Sequence, residues 1–255
     1  MTHDLDERPF LLLSIRADEA AAADEHAAIA RFGGLTESEL HLFGLHSQPL
    51  GELDLAGWAG VILGGGPYNV SDPADAKSAD QRRAEADLAN LLARVLDQDF
   101  PFLGCCYGIG ALGSQIGATV DRSFGEPIGA VTVTLTEAGR DDPLLADLPA
   151  SFDAFVGHKE AISALPASAT VLATSATCPV QAFRVGRNVY ATQFHPELDV
   201  PGLHTRIDVY KHAGYFDPES ADSLKASAGA SNVAHPPTLL RNFVRQARSL
   251  ARMAQ

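Results

Sequence analysis

Two cysteines stand side by side in PFLGCCYGIGALGSQ, residues 101–115. An apolar run precedes them and a glycine-punctuated segment follows. Gly104 and Gly108 flank Cys106 at minus two and plus two. Strand, tight turn and helix in that order make the context of a nucleophile elbow, with Cys106 at the turn. The glycines let the chain reverse sharply and let a substrate come close. A helix N-terminus carries partial positive charge, which favours thiolate over thiol. Cys105 would then be the last strand residue, directed into the core. The plainer alternative is that both cysteines are small buried apolar residues. A thiol nucleophile wants a base, and ATQFHPELD offers His195 at the end of an apolar strand, with Glu197 two residues on to orient the imidazole. Three residues of that kind recur by chance, so the stretch alone decides nothing. Acyl transfer also wants donors for an oxyanion. GVILGGGPYNV supplies Gly64, Gly65 and Gly66 after a strand, and the amide of Tyr107 follows the nucleophile. A plain glycine turn would read the same way.

The elements that must position these residues follow from apolar runs and their punctuation. FLLLSIR (10–16), ELHLFGL, WAGVILGGG (58–66) and PFLGCC read as buried strands. Between and after them, ADEAAAADEHAAIARFGG, SADQRRAEADLANLLARVLDQD and YGIGALGSQIG read as helices, the first stopped by two glycines. Strand and helix in alternation predict an α/β fold with a mostly parallel central sheet covered on both faces. The second half changes character. AVTVTLTEAG alternates, and DAFVGHKEAISALP, TVLATSA, PVQAFRVG and NVYATQFH are short strands between turns, so a smaller antiparallel sheet is expected. Residues 199–237 are helical and loop-like and delay a last helix, TLLRNFVRQARSLARM, which has an arginine face.

Composition bounds the partners. The chain has 255 residues, of which 46% are apolar and 20% charged, ample for one full core. Its formal net charge of −13 repels phosphate backbones, so no nucleic-acid partner is expected. Three cysteines (Cys105, Cys106, Cys178) suit no disulfide framework and imply a reducing, cytoplasmic compartment. The opening MTHDLDERPF has no basic and apolar leader pattern, and no apolar run reaches about 18 residues, so no membrane association is expected. Neither H-E-x-x-H nor C-x-x-C spacing occurs, nor does a G-x-x-x-x-G-K-[ST] phosphate loop. No metal or cofactor is therefore implied.

Taken in order, VILGGGP, PFLGCCYG and YATQFHPE resemble the landmarks of the class I, triad-type glutamine amidotransferases, and above all the glutaminase domain of GMP synthase. FGEPIGAVTV, GHKEAI and SATCPVQAF resemble further stretches of that domain. The likeness covers roughly residues 10–198 and the last helix, with 199–237 as an insertion in a single domain of residues 1–255. The resemblance implies a flavodoxin-like α/β fold. It implies that Cys106 attacks the side-chain amide carbon of glutamine, giving a γ-glutamyl thioester. His195 moves the proton, Glu197 holds His195, and the amides of Gly66 and Tyr107 bind the oxyanion. Water then releases glutamate, and the ammonia goes to a synthase. Cys178 falls at a structural position.

The substrate pocket departs from the family. The elbow of the family reads C-x-G-x-Q, and Gly110 stands where that glutamine would be. GMP synthase reads S-H-G-D where this chain has Gly157, His158, Lys159 and Glu160. Gly65, Gly110, Gly157, His158 and Lys159 are thus the candidate substrate contacts. Lys159 would either pair with a substrate carboxylate or lie on the surface. No S-G-G-x-D-S-S-type ATP pyrophosphatase loop is present, so the chain would serve a synthase on another chain or act as a stand-alone hydrolase. Its substrate would be glutamine or another γ-glutamyl small molecule. A γ-glutamyl peptide or amide hydrolase is the nearest alternative, a non-catalytic binding module is the alternative from another class, and a homo-oligomer is compatible with either. The 199–237 segment would form a lid or a contact with another protein chain.

Overall fold

A computed structural model describes residues 8–212, 214 and 216–253. The leader reading of the first seven residues, and the outermost parts of the 1–255 span, lie outside the described residues. Eleven strands and seven α-helices are found among those described: β1 (Phe10–Ser14), α1 (Glu19–Gly33), β2 (Leu40–Gly44), β3 (Gly60–Leu63), α2 (Ala79–Asp97), β4 (Phe102–Cys105), α3 (Tyr107–Gln115), β5 (Thr119–Asp121), β6 (Glu126–Leu135), α4 (Glu137–Arg140), β7 (Ser151–His158), β8 (Ala161–Ala164), β9 (Ala169–Ser175), β10 (Ala182–Val185), β11 (Val189–Thr192), α5 (Val200–Val209), α6 (Ala221–Ala230) and α7 (Pro237–Met253).

Nine strands form one sheet in the order β2-β1-β3-β4-β11-β10-β9-β6-β7. The first five run parallel, and β10, β9, β6 and β7 continue the sheet antiparallel. Most of the expected antiparallel strands therefore extend the main sheet. The separate small sheet is the antiparallel pair β5–β8. Strands β1, β3 and β4 are buried along their whole length. Alternate residues feed two cores, which is why these strands read as unbroken apolar runs rather than as alternation. Phe10 and Leu12 face a core shared with Ile29 of α1 and with Leu239, Leu240, Phe243 and Val244 of α7. Leu11 and Leu13 face the other core, with Leu88, Leu91 and Leu92 of α2 and Ile109 and Leu112 of α3.

The helices begin where capping chemistry allows. Asp18 accepts from the amide of Ala21 at the start of α1, and Ser78 accepts from Gln81 at the start of α2. Helix α1 ends on Gly34 at φ 69°, as its paired glycines predicted. Residues 199–237 are largely helical: α5 and α6 bury Leu203, Ile207, Ala221 and Ala228 against Phe155 and Leu198. No described helix is long and apolar enough to cross a membrane.

Candidate active site

The C-terminal ends of β1, β3, β4 and β11 meet at one edge of the sheet. In open parallel sheets this edge is where ligands bind. Strand β4 ends at Cys105, which is fully buried, and burial pushes its thiol well above the ordinary range. Cys106 follows as the residue before α3, at φ 52° and ψ −94°. Its amide donates to the carbonyl of Thr192 at 2.8 Å, and its carbonyl accepts from the amide of Ile109 at 3.1 Å. These two bonds tie the turn to β11 and to α3. A Cβ on Gly104 would lie 2.8 Å from the backbone of Gly108, and one on Gly108 would lie 3.1 Å from the carbonyl oxygen of Leu63. Only glycines permit so close an approach of α3 to β3 and β4. The elbow read from the sequence is therefore present, with Cys106 at its apex and Tyr107 as the first residue of α3. A first-turn amide has no carbonyl four residues back to bond, so the Tyr107 N–H has no intrahelical partner.

His195 does not end a strand. Strand β11 stops at Thr192, and His195 sits three residues on in a buried turn, its amide donating to the carbonyl of Phe155 at 3.0 Å. Pro196 directly after it interrupts any further ladder bonding. The imidazole Nδ1 is 2.7 Å from Glu197 Oε1, which leaves Nε2 for Cys106, whose Cβ flanks Gly65 beside the ring's Cε1. Burial alone would lower the imidazole pKa. The negative charge of Glu197 and the sulfur of Cys106 outweigh it and push His195 up to about 10. Burial would likewise raise Glu197, but the charge and hydrogen bond of His195, aided by Arg206, hold it below the usual carboxylate range. Both shifts have one main cause, the pairing of the imidazolium with the Glu197 carboxylate.

Gly66, Tyr107 and Cys106 line a cleft together with Gly110, Gly157, His158 and Lys159. Gly65 is placed differently. Its amide donates to Glu25 at 3.2 Å, so it offers no donor to a ligand. A Cβ there would meet His195 Cε1 at 2.8 Å and Cys106 Cβ at 3.3 Å. Gly65 thus contributes room for the triad. His158 lines the cleft, but both ring nitrogens are engaged, with Glu126 Oε2 and with the carbonyl of Glu160, each at 2.8 Å. Glu126 also takes bonds from Gln181, Ser175 and Thr177. His158 therefore anchors β7 to β6 and presents only its ring to the cleft.

Some functional side chains were not singled out from the sequence. Glu160 accepts from the amides of Val70 and Ser71, each at 2.8 Å, and so closes the loop after β3 over the cleft. Its Oε1 lies 3.1 Å from the position of a Cβ on Gly110, in the space the family's glutamine would enter. Arg16, Glu25 and Arg206 form a buried charge cluster beside the triad. Arg16 had one available signal, being a charged residue just past the end of a buried parallel strand. Arg206 had none, because only the path of α5 brings it there.

The family model for class I glutamine amidotransferases matches residues 27–204. The chain belongs to the class I glutamine amidotransferases. Among curated amidotransferase relatives, the glutamine-hydrolyzing GMP synthase of Thermomicrobium roseum is 35% identical over 139 residues, 54% of this chain and 23% of that protein. The chain thus matches about a quarter of the length of such relatives. A shorter relative, one subunit of the glutamine-hydrolyzing GMP synthase of Thermoplasma acidophilum, is 30% identical over 162 residues, 62% of this chain and 72% of that one. Two solved structures share the fold. One is described as a GMP synthase subunit from Thermoplasma acidophilum (TM-score 0.65, 20% identity, 97% of this chain and 98% of that one). The other is a glutamine amidotransferase from Thermotoga maritima (TM-score 0.70, 21% identity, 94% and 98%).

Proposed function

We propose that this amidotransferase unit hydrolyses the side-chain amide of glutamine through a γ-glutamyl thioester on Cys106. His195 passes the thiol proton to the departing nitrogen and then activates the water that releases glutamate. Glu197 fixes the imidazole through Nδ1, and the amides of Gly66 and Tyr107 face the oxyanion. The observation that carries the reading is His195, paired with Glu197 Oε1 at 2.7 Å, flanking Gly65 together with Cys106, which lines the cleft. The ammonia would serve a synthase on a separate chain, a reading supported by the Thermoplasma relative, which is itself one subunit of a GMP synthase. The whole chain is read as one unit with 199–237 as an insertion, working in the cytoplasm.

A second reading has its own support. Gly110 carries no side chain where the family has a glutamine, Glu160 Oε1 stands in the space that glutamine would enter, and Lys159 lines the cleft. The acyl end of the pocket is thereby altered, which favours another γ-glutamyl amide as substrate.

The test is ammonia release from L-glutamine, with Cys106→Ala as control, beside labelling by an α-amino diazoketone analogue of glutamine. Release lost in the variant and one adduct on Cys106 are expected. An adduct on Cys105 would overturn the elbow assignment. Neither release nor adduct, with glutamine or any γ-glutamyl amide, would leave a non-catalytic module.

A further inference from the structure

Gly66 and Gly157 have a second side. Against it lies a small pocket whose walls also include Arg16, Arg206, Tyr210 and Leu203. Arg16 is buried and well partnered: Nε reaches Glu25 Oε1 at 3.0 Å, and Nη1 donates to Tyr210 Oη at 2.8 Å. Its Nη2 lies 3.1 Å from the point where a Cβ on Gly65 would sit, the same point that lies 2.8 Å from His195 Cε1. The guanidinium and the imidazole thus flank Gly65 together.

Arg206 is different. It is 5% exposed, and none of its three guanidinium nitrogens has a hydrogen bond among the described residues. Its nearest acidic oxygens, Asp24 Oδ2 and Glu25 Oε1, are 3.7 Å away. Glu25 is already committed to Arg16, to the Gly65 amide and to Ser14. Two guanidiniums therefore share fully buried Glu25, and Arg206 also faces Asp24 Oδ2, which has no hydrogen bond either. A buried guanidinium with ion pairs at 3.7 Å but no hydrogen bond is costly, and the acceptor that suits its planar fork is a carboxylate.

We propose that this pocket receives the carboxylate of the leaving group, so that the preferred substrates are γ-glutamyl amides of amino acids rather than glutamine alone. The inference rests on the hydrolase reading above. The acyl portion occupies the cleft on the Gly110–Lys159 side of Cys106. The departing nitrogen must lie within reach of His195, and His195 shares the Gly65 wall with Arg16. The Arg206 pocket shares Gly66 and Gly157 with the cleft that Cys106 lines, and a carboxylate on that amine would cross them to reach Arg206. The Cys106 sulfur bonds to the side-chain amide carbon, the C–N bond breaks, and His195 passes the thiol proton to the departing amine. Water then cleaves the thioester, and the products are glutamate and a free amino acid.

The test compares γ-glutamylglycine with γ-glutamylglycinamide, which differ only in carboxylate against amide. The measured quantity is the ratio of their kcat/KM values on the full chain, for the wild type, Arg206→Met and Arg206→Lys. A hydrogen bond to a charged group is typically worth about 1.5–3 kcal/mol, or roughly 10- to 150-fold. The wild type should favour the acid by at least about tenfold on that scale, with Arg206→Met near parity and Arg206→Lys between. A ratio near one in the wild type overturns the proposal whether or not the variants fold. A preference that survives Arg206→Met overturns it as well. Turnover of both compounds without preference leaves the hydrolase reading standing, whereas no Cys106-dependent turnover of these or of glutamine removes both.

Discussion

Cys106, the proposed nucleophile, has an uncomfortable backbone. Its φ of 52° with ψ of −94° is a conformation that a residue with a Cβ rarely adopts. Gly104, Gly108 and the Thr192 carbonyl hold it there. Cys106→Gly should therefore be more stable than Cys106→Ala by about 1 kcal/mol, reversing the usual order at an ordinary site. Paired urea melts measure this, and equal midpoints would mean that the turn is relaxed. The Glu197 pair makes a second prediction at this scale. His195 is raised from 6.5 to about 10, so its contribution to stability is complete below about pH 6.5 and fades as pH rises toward 10. Glu197 is depressed from 4.5, so its share is complete above that value and is lost only as pH falls through its lowered pKa. Both shifts describe one interaction, which is strongest between those limits. The stability gap between wild type and Glu197→Gln should be widest near pH 5–6 and should narrow steadily toward pH 10, as read from unfolding curves across that range. A gap independent of pH would remove the ion pair. The grouping of Cys106, His195 and Glu197 was legible because the three lie in two short contiguous stretches. Arg206 was not, because its neighbours come from elements far apart in sequence.

At the level of elements, the loop after β3 and the turn between β7 and β8 are closed on each other by Glu160. The carboxylate holds the Val70 and Ser71 amides and fills the space above Gly110. Restoring the family's glutamine by Gly110→Gln should fail for this reason. A Cβ there already stands 3.1 Å from Glu160 Oε1 and 3.2 Å from Val70 Cγ2. Overpacking of this kind typically costs about 1–3 kcal/mol, and the displaced loop should raise KM more than it lowers kcat. Gly110→Gln combined with Glu160→Gly should recover part of the stability loss, giving a clear coupling in a double-mutant cycle. Simple additivity would separate the two positions. The departure at Gly110 was legible from the sequence, but its compensation by Glu160 was not, because about fifty residues intervene. The same limit hid the three-residue β5, and it hid the joining of β6, β7, β9 and β10 to the parallel strands. Alternation shows that one face of a strand is buried, not which strand lies beside it.

Across the whole molecule, two cores lie on opposite faces of the sheet, and the triad sits where the strands end rather than within either core. Helix α7 illustrates the separation. Its arginines at 241, 245, 248 and 252 recur every three or four residues, and Arg248 pairs with Glu39. The opposite stripe of Leu240, Phe243, Val244 and Ala247 is buried. This amphipathic pattern was plain in the sequence, and with it the helix. Its seat was not: Phe243 packs its ring 6.2 Å from that of Phe10, beside Gly60, on the face that α1 also covers. Phe243→Ala should accordingly cost about 3–5 kcal/mol, which in a chain of this size lowers Tm by roughly 10 °C. The cavity opens on the α1–α7 side of β1 and β3, away from the loop ends that hold Cys106 and His195. At a temperature where both proteins are fully folded, the rate of Cys106 labelling by the diazoketone should therefore agree within about twofold, on the ground that distant and unshared sites act independently. A slower rate in the variant would show that α7 also helps to position the elbow.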